Sequence, residues 1–158
     1  MQTVYIETTI PSYLTSRRSQ QASVAVDQDS TSVWWETQRK QFRLYTSVFT
    51  LAEAGAGDVQ LASKRLQALE GIPTLDIPED FDSLESDLII LFQLPNRAAT
   101  DASHLGLAIV HRIDYLLTWN CTHLANAVLQ KELMDYCSYH QLHIPVVCTP
   151  ETLTKLQP

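Results

Sequence analysis

Three carboxylates and one amide stand where acid-cluster chemistry becomes feasible: Glu7, Glu53, Asp101 and Asn120. Glu7 follows the β-branched and aromatic run 3–6, and Glu53 comes within a turn of the run 43–48. Asp101 opens an apolar helical stretch, and Asn120 lies just past the strand-length run 114–119. In a parallel sheet all four reach the carboxyl edge of the strands, where α/β proteins bind ligands. Two carboxylates about 4 Å apart repel by roughly 4 kcal/mol at an effective dielectric near 20. A third raises their pKa values further or recruits a cation. An all-oxygen set without an organised His or Cys group suits Mg²⁺ or Mn²⁺ rather than zinc, with open positions for water and a substrate phosphate. Singly, each acid has an ordinary explanation: a solvated strand end for Glu7, a macrodipole partner for Glu53, an N-terminal helix charge for Asp101. The convergence of all four at one edge is what argues for chemistry.

The elements that position them follow from periodicity. A helix from Asp101 to Arg112 rises about 17 Å at roughly 1.5 Å per residue. The strand 114–119 returns about 17 Å at roughly 3.3 Å per residue, so Asp101 and Asn120 should meet. Further strands are expected at 3–6, 43–48 and 145–148, with a short edge strand at 72–77 interrupted by Pro73. Helices are expected over 20–41, with Ser30-Thr31-Ser32 as a candidate break, over 49–54 ended by Gly55 and Gly57, and over 58–70 capped by Asp58. Another opens at Pro78-Glu79-Asp80 with the face Phe81, Leu84, Leu88, Leu91 and Phe92, and a turn over 94–97 leads into the Asp101 helix. A helix over 124–140 and a short terminal one after Thr149-Pro150-Glu151 complete the order. This alternation predicts an α/β fold, one domain over residues 1–158, with a mostly parallel sheet of about five strands covered by helices on both faces.

Composition narrows the function. With 11 Lys plus Arg against 18 Asp plus Glu, the net charge of -7 opposes broad, sequence-independent phosphate binding, so a nucleic-acid substrate needs a local basic patch or a metal. Arg17 and Arg18, soon after Glu7, are the local candidates for phosphate contacts. Cys121, Cys137 and Cys148 are odd in number and lack C-x-x-C spacing, which fits reduced thiols in a cytoplasmic protein. No segment has 18 uninterrupted apolar residues and the N-terminus has no signal-peptide pattern, so neither membrane span nor leader is expected. Two adjacent tryptophans, Trp34 and Trp35, predict that one packs in the core and the other faces a partner chain. His104 and His111, on the apolar helix, read as satisfied core or surface histidines.

Tyr5-Ile6-Glu7-Thr8-Thr9, Glu53, the block Asp101-Ala102-Ser103-His104-Leu105-Gly106-Leu107-Ala108 and Leu117-Thr118-Trp119-Asn120 together resemble the PIN domain, and more narrowly the VapC-type toxins of bacterial toxin-antitoxin pairs. The resemblance spans essentially the whole chain and is most specific over residues 101–126. It implies a Mg²⁺- or Mn²⁺-dependent ribonuclease in which Glu7, Glu53 and Asp101 hold metal, activate water and orient attack on a phosphodiester. Asn120 falls where many members carry Asp, and Glu7 where Asp is usual. Asn120 completes the implied metal-ligand set through its oxygen but adds no charge, which argues against a second metal in the free protein. The same resemblance implies that Thr8 and Thr118 orient the acids through their hydroxyls, that His123 contacts phosphate or packs at a helix start, and that the chain pairs as a homodimer. It also implies a small, basic cognate antitoxin whose tail enters the acidic cleft, with the Trp34-Trp35 helix as part of the antitoxin or dimer surface. Two other classes compete. One is a catalytically weak PIN module acting as a binding or regulatory protein, motivated by Asn120 and the charge. The other is a receiver-like phosphotransfer site, disfavoured because no lysine follows a late strand.

Overall fold

The computed structural model describes residues 1–95 and 98–155. Strands β1 (Thr3–Ile6), β2 (Arg43–Tyr45), β3 (Tyr115–Leu117) and β4 (Val146–Cys148) form a sheet in the order β2-β1-β3-β4, every neighbouring pair parallel. Central β1 buries Val4, Tyr5 and Ile6 completely, and the two-residue alternation of a strand divides them between two cores. Tyr5 joins Leu116 on the face covered by α5 (Phe81–Leu91), α6 (Ala99–Val110) and α7 (Ala127–Tyr139). Val4 and Ile6 join Leu117 on the face covered by α2 (Ala22–Thr37) and α8 (Pro150–Lys155). Helices α1 (Thr9–Thr15), α3 (Val48–Ala54) and α4 (Val59–Leu69) pack on one another and add Ile10, Ala54 and Leu69 to the core of Val4 and Ile6. Helices therefore lie on both faces, as the alternation of elements requires.

Several expectations are corrected. Among the described residues the sheet has four strands rather than about five, because the run 72–77 contributes only a bridge between Thr46 and Thr74. Thr46 N–H donates to Pro73 O and Leu75 N–H donates to Thr46 O, both at 2.9 Å. Pro73, with no N–H of its own, cannot extend that ladder. Helix α1 is an addition: Pro11 lies in its first turn, where a missing N–H costs nothing. Helix α2 runs unbroken through Ser30-Thr31-Ser32, since the Thr31 hydroxyl folds back onto Asp27 O at 2.7 Å. Residues 96 and 97 of the expected turn lie outside the described residues.

The tryptophan pair is the sharpest correction. Trp34 is 0% and Trp35 9% exposed, both in the same core, with ring centroids 6.4 Å apart. Successive helical residues diverge by about 100°, which the width of an apolar stripe accommodates. The Arg39 guanidinium covers the Trp35 ring at 4.7 Å, so neither indole offers the partner surface expected of it.

Gly106 sets how closely α5 and α6 approach. A Cβ there would fall 2.8 Å from Phe81 Cε2 and 3.0 Å from Cζ, and Phe81 is itself buried. Gly106→Ala is therefore expected to destabilise the protein by about 1–3 kcal/mol, the usual cost of overpacking a core. Urea unfolding measures it, and an unchanged midpoint would show that the ring moves freely.

Candidate metal centre

Register brings the first contacts together. Ile6 pairs with Leu117, so the next residues, Glu7 and Thr118, emerge side by side, with Glu7 N–H donating to Leu117 O at 3.3 Å. Three donors converge on Glu7 Oε2: the Thr118 hydroxyl at 2.7 Å, the Thr9 hydroxyl at 2.5 Å and the Thr9 N–H at 3.1 Å. Thr9 can supply two of them because α1 starts there. Glu7 is only 4% exposed.

Glu53 arrives from β2 through α3, whose N-cap Ser47 accepts from Thr50 N–H. It is the sixth residue of that seven-residue helix, so it lies in the last turn and not the first. The macrodipole disfavours an acid there, which removes the ordinary explanation for it. Side chains hold it instead: Thr8 hydroxyl donates to Glu53 Oε1 at 2.7 Å, and His104 Nε2 meets the same oxygen at 2.6 Å. Burial pushes Glu53 up, but the hydrogen bond and charge of His104, helped by Thr8, outweigh it and hold the carboxyl below its usual range.

Asp101 lies in the first turn of α6, yet the N-cap is Ala98 and no side-chain cap bond forms there. Its Oδ2 instead accepts from Asn120 Nδ2 at 3.1 Å, the meeting that the matched helix and strand lengths require. Burial pushes Asp101 up, His104 pulls it down, Glu7 pushes it up again, and Asn120 and His123 pull it down. The balance lies above the usual aspartate range. Glu7 and Asp101 thus repel each other in the metal-free protein.

Among the described residues, Glu7, Glu53 and His104 form a potential ligand group whose donor atoms lie within 4.8 Å of one another. Asp101 is one helical turn before His104, outside that triad but coupled to Glu7 by charge. Among the described residues, no donor meets Glu7 Oε1, Glu53 Oε2 or Asp101 Oδ1. For the two buried acids these oxygens still reach solvent, since neither belongs to the buried atoms without partners. Carboxylate oxygens that repel one another, are anchored from behind and open in front fit a hard divalent cation.

Other expected residues occupy distinct places. Asn120 Oδ1 accepts from His123 N–H at 3.0 Å, so its amide faces Asp101 while its oxygen closes a turn. The His123 ring is half-buried near Asp101. Arg18 is engaged by Asp29 in a two-pronged surface pair at 2.5 and 3.0 Å. Arg17 lines a cleft of about 480 Å³ between α1 and α4 with Lys64 and Asp58, and none of the acids lines it. His111 Nε2–H donates to the backbone Asp76 O at 2.7 Å, at the surface.

Residue-type reasoning passed over Thr9, Tyr5 and His104. A signal for His104 was present: Asp101 and His104 are three apart on one helix, hence on one face. Its ring is fully buried between Tyr5 OH, 2.6 Å from Nδ1, and Glu53. It is a satisfied core histidine, as read, and also a member of the acid cluster.

No protein-family model matches the sequence, and no curated protein matches it. In structure the chain is similar to a chain in the crystal structure of VapBC2 from Rickettsia felis bound to a DNA fragment from their promoter. The TM-score is 0.53 at 12% identity, covering 93% of this chain and 98% of that one. At that identity the likeness is one of architecture. Among the described residues, the four-stranded all-parallel sheet between helical layers, with the acids at its carboxyl edge, is a PIN-like α/β fold.

Proposed function

We propose that this chain is a Mg²⁺- or Mn²⁺-dependent ribonuclease and the toxin of a toxin-antitoxin pair. The observation that carries the reading is the convergence of Glu7, Glu53 and Asp101, each with one oxygen held by a neighbour and one open. In this reading the three acids hold the metal, which supplies an activated water and charge stabilisation at the phosphodiester. Thr9 and Thr118 fix Glu7, Thr8 fixes Glu53, and Asn120 fixes Asp101. Arg17 and His123 are the proposed contacts to flanking phosphates. The structural likeness to a VapBC assembly supports an antitoxin partner, and the net charge of -7 favours a basic one. A homodimer is part of the same proposal.

The purified chain, free of partner, is expected to cut single-stranded RNA with Mn²⁺ and to stop when EDTA is added. Gel assay of a random RNA pool decides it. One observation favours a second reading, a binding module without catalysis: Asn120 adds no charge and turns its oxygen away from the acids. RNA retained on the protein but uncut at every Mn²⁺ concentration would favour that reading.

A further inference from the structure

We propose that Tyr5 and His104 form one positioning unit that aims Glu53 at the bound cation. This deepens the metal-site part of the proposed function and rests on it. His104 is 0% exposed and both ring nitrogens are engaged, Nδ1 with Tyr5 OH and Nε2 with Glu53 Oε1, each at 2.6 Å. A carboxylate only accepts, so whichever way the Tyr5 hydroxyl turns, Nε2–H donates to Glu53. Behind Tyr5 stand the hydroxyls of Ser47 at 2.6 Å and Thr50 at 3.2 Å, both from the start of α3. The chain of contacts therefore ties β1, α3 and α6, the elements that deliver Glu7, Glu53 and Asp101.

Glu53 needs this support more than the other two acids. It sits at the end of a short helix, its side chain is 39% exposed, and it has three side-chain torsions to fix. Thr8 and His104 both take Oε1, which leaves Oε2 without a donor among the described residues and free for a cation. Strand parity places Tyr5 on the α6 face, and the helical turn places His104 there below Asp101. Both nitrogens being occupied, His104 acts through Glu53 rather than as a ligand itself.

The test is Mn²⁺ binding by calorimetry on the full chain, alongside RNA cleavage and a melting curve. Asparagine at 104 keeps a polar atom near the Nδ1 position but cannot reach Glu53; glutamine keeps a donor near the Nε2 position. Outer contacts of metal ligands typically contribute 10- to 100-fold in affinity, so His104→Asn is expected to weaken Mn²⁺ binding about 100-fold and His104→Gln only about 10-fold. Tyr5→Phe, which removes one hydroxyl, is expected to weaken binding about 10-fold alone and not at all in the His104→Asn background. Mg²⁺ affinity, read by competition, should fall in parallel with Mn²⁺.

Additive losses in the double variant would overturn the proposal. So would an unchanged isotherm accompanied only by a lower melting temperature, or a loss of Mn²⁺ affinity without loss of Mg²⁺, which would make His104 a direct ligand. Wild type that binds no Mn²⁺ also overturns it. Wild type that binds Mn²⁺ but cuts no RNA would instead remove the ribonuclease reading and leave the positioning unit standing.

Discussion

Replacing Asp101 by asparagine is expected to reduce Mn²⁺-dependent RNA cleavage by about 10³-fold, the loss typical of removing one preorganised electrostatic group. The same change is expected to raise the melting temperature of the metal-free protein by about 2–4 °C, the shift that ~1 kcal/mol produces at this size. The reasons are on the structure. Asp101 is 9% exposed, and burial together with Glu7 holds its carboxyl above the usual range. A group whose folded pKa is raised keeps its proton longer when folded. Its favourable effect is therefore full at low pH and is lost as pH rises from the ordinary aspartate range through the raised value. At neutral pH the ionised side chain is a net burden. Asparagine keeps an oxygen for Asn120 Nδ2 and turns an amide toward Glu7, which removes the repulsion.

Melting curves with EDTA and with Mn²⁺ check both halves. Bound metal stabilises whatever state binds it, so Mn²⁺ should raise the wild-type transition and leave the variant's unmoved. A variant that melts lower in EDTA would place Asp101 among structural carboxylates. One that keeps a tenth of the wild-type cleavage would remove it from the proposed ligands.

What sequence could reveal here depends on whether a contact is local. Strand ends are marked by β-branched runs, so Glu7 and the 114–119 run were legible, and two known rises brought Asp101 to Asn120. The two-sided cover of the sheet followed from the alternation of elements. Sheet width did not: whether 72–77 pairs fully depends on Pro73 against Thr46, an encounter across 27 residues. Reading Glu53 as a first-turn acid overlooks how short its helix is: the expected span 49–54, ended by Gly55, already leaves it next to the last residue, and α3 (Val48–Ala54) places it in the last turn. His104 gives no such strand-end signal and reads as core, because an apolar helix usually buries histidine for packing. Its partners Tyr5 and Glu53 lie 99 and 51 residues away, and neither distance has a periodicity to betray it.

Glu7→Asp is the counterintuitive case: it installs the acid usual at this position in the resembled family and is expected to lower RNA cleavage about 100-fold, the effect of a misplacement near 1 Å at a reacting centre. Three donors hold Glu7 Oε2 from behind, from Thr9 twice and Thr118 once. Thr118 is fully buried and Glu7 nearly so. A side chain shorter by one methylene cannot both keep those donors and leave its other oxygen where that of Glu7 stands. Hydrogen bonds to a charged acceptor contribute about 1.5–3 kcal/mol each, more than one ligand bond to a solvated cation is expected to recover in the variant. The shorter carboxylate should therefore stay with the threonines and retreat from the metal. Urea unfolding of the variant should lie within about 1 kcal/mol of wild type, while its Mn²⁺ half-saturation for cleavage rises and kcat falls. The opposite pattern, full cleavage with stability lowered by the about 1–3 kcal/mol of stranded buried donors, would mean that the cation rather than the threonine cradle decides where this acid points.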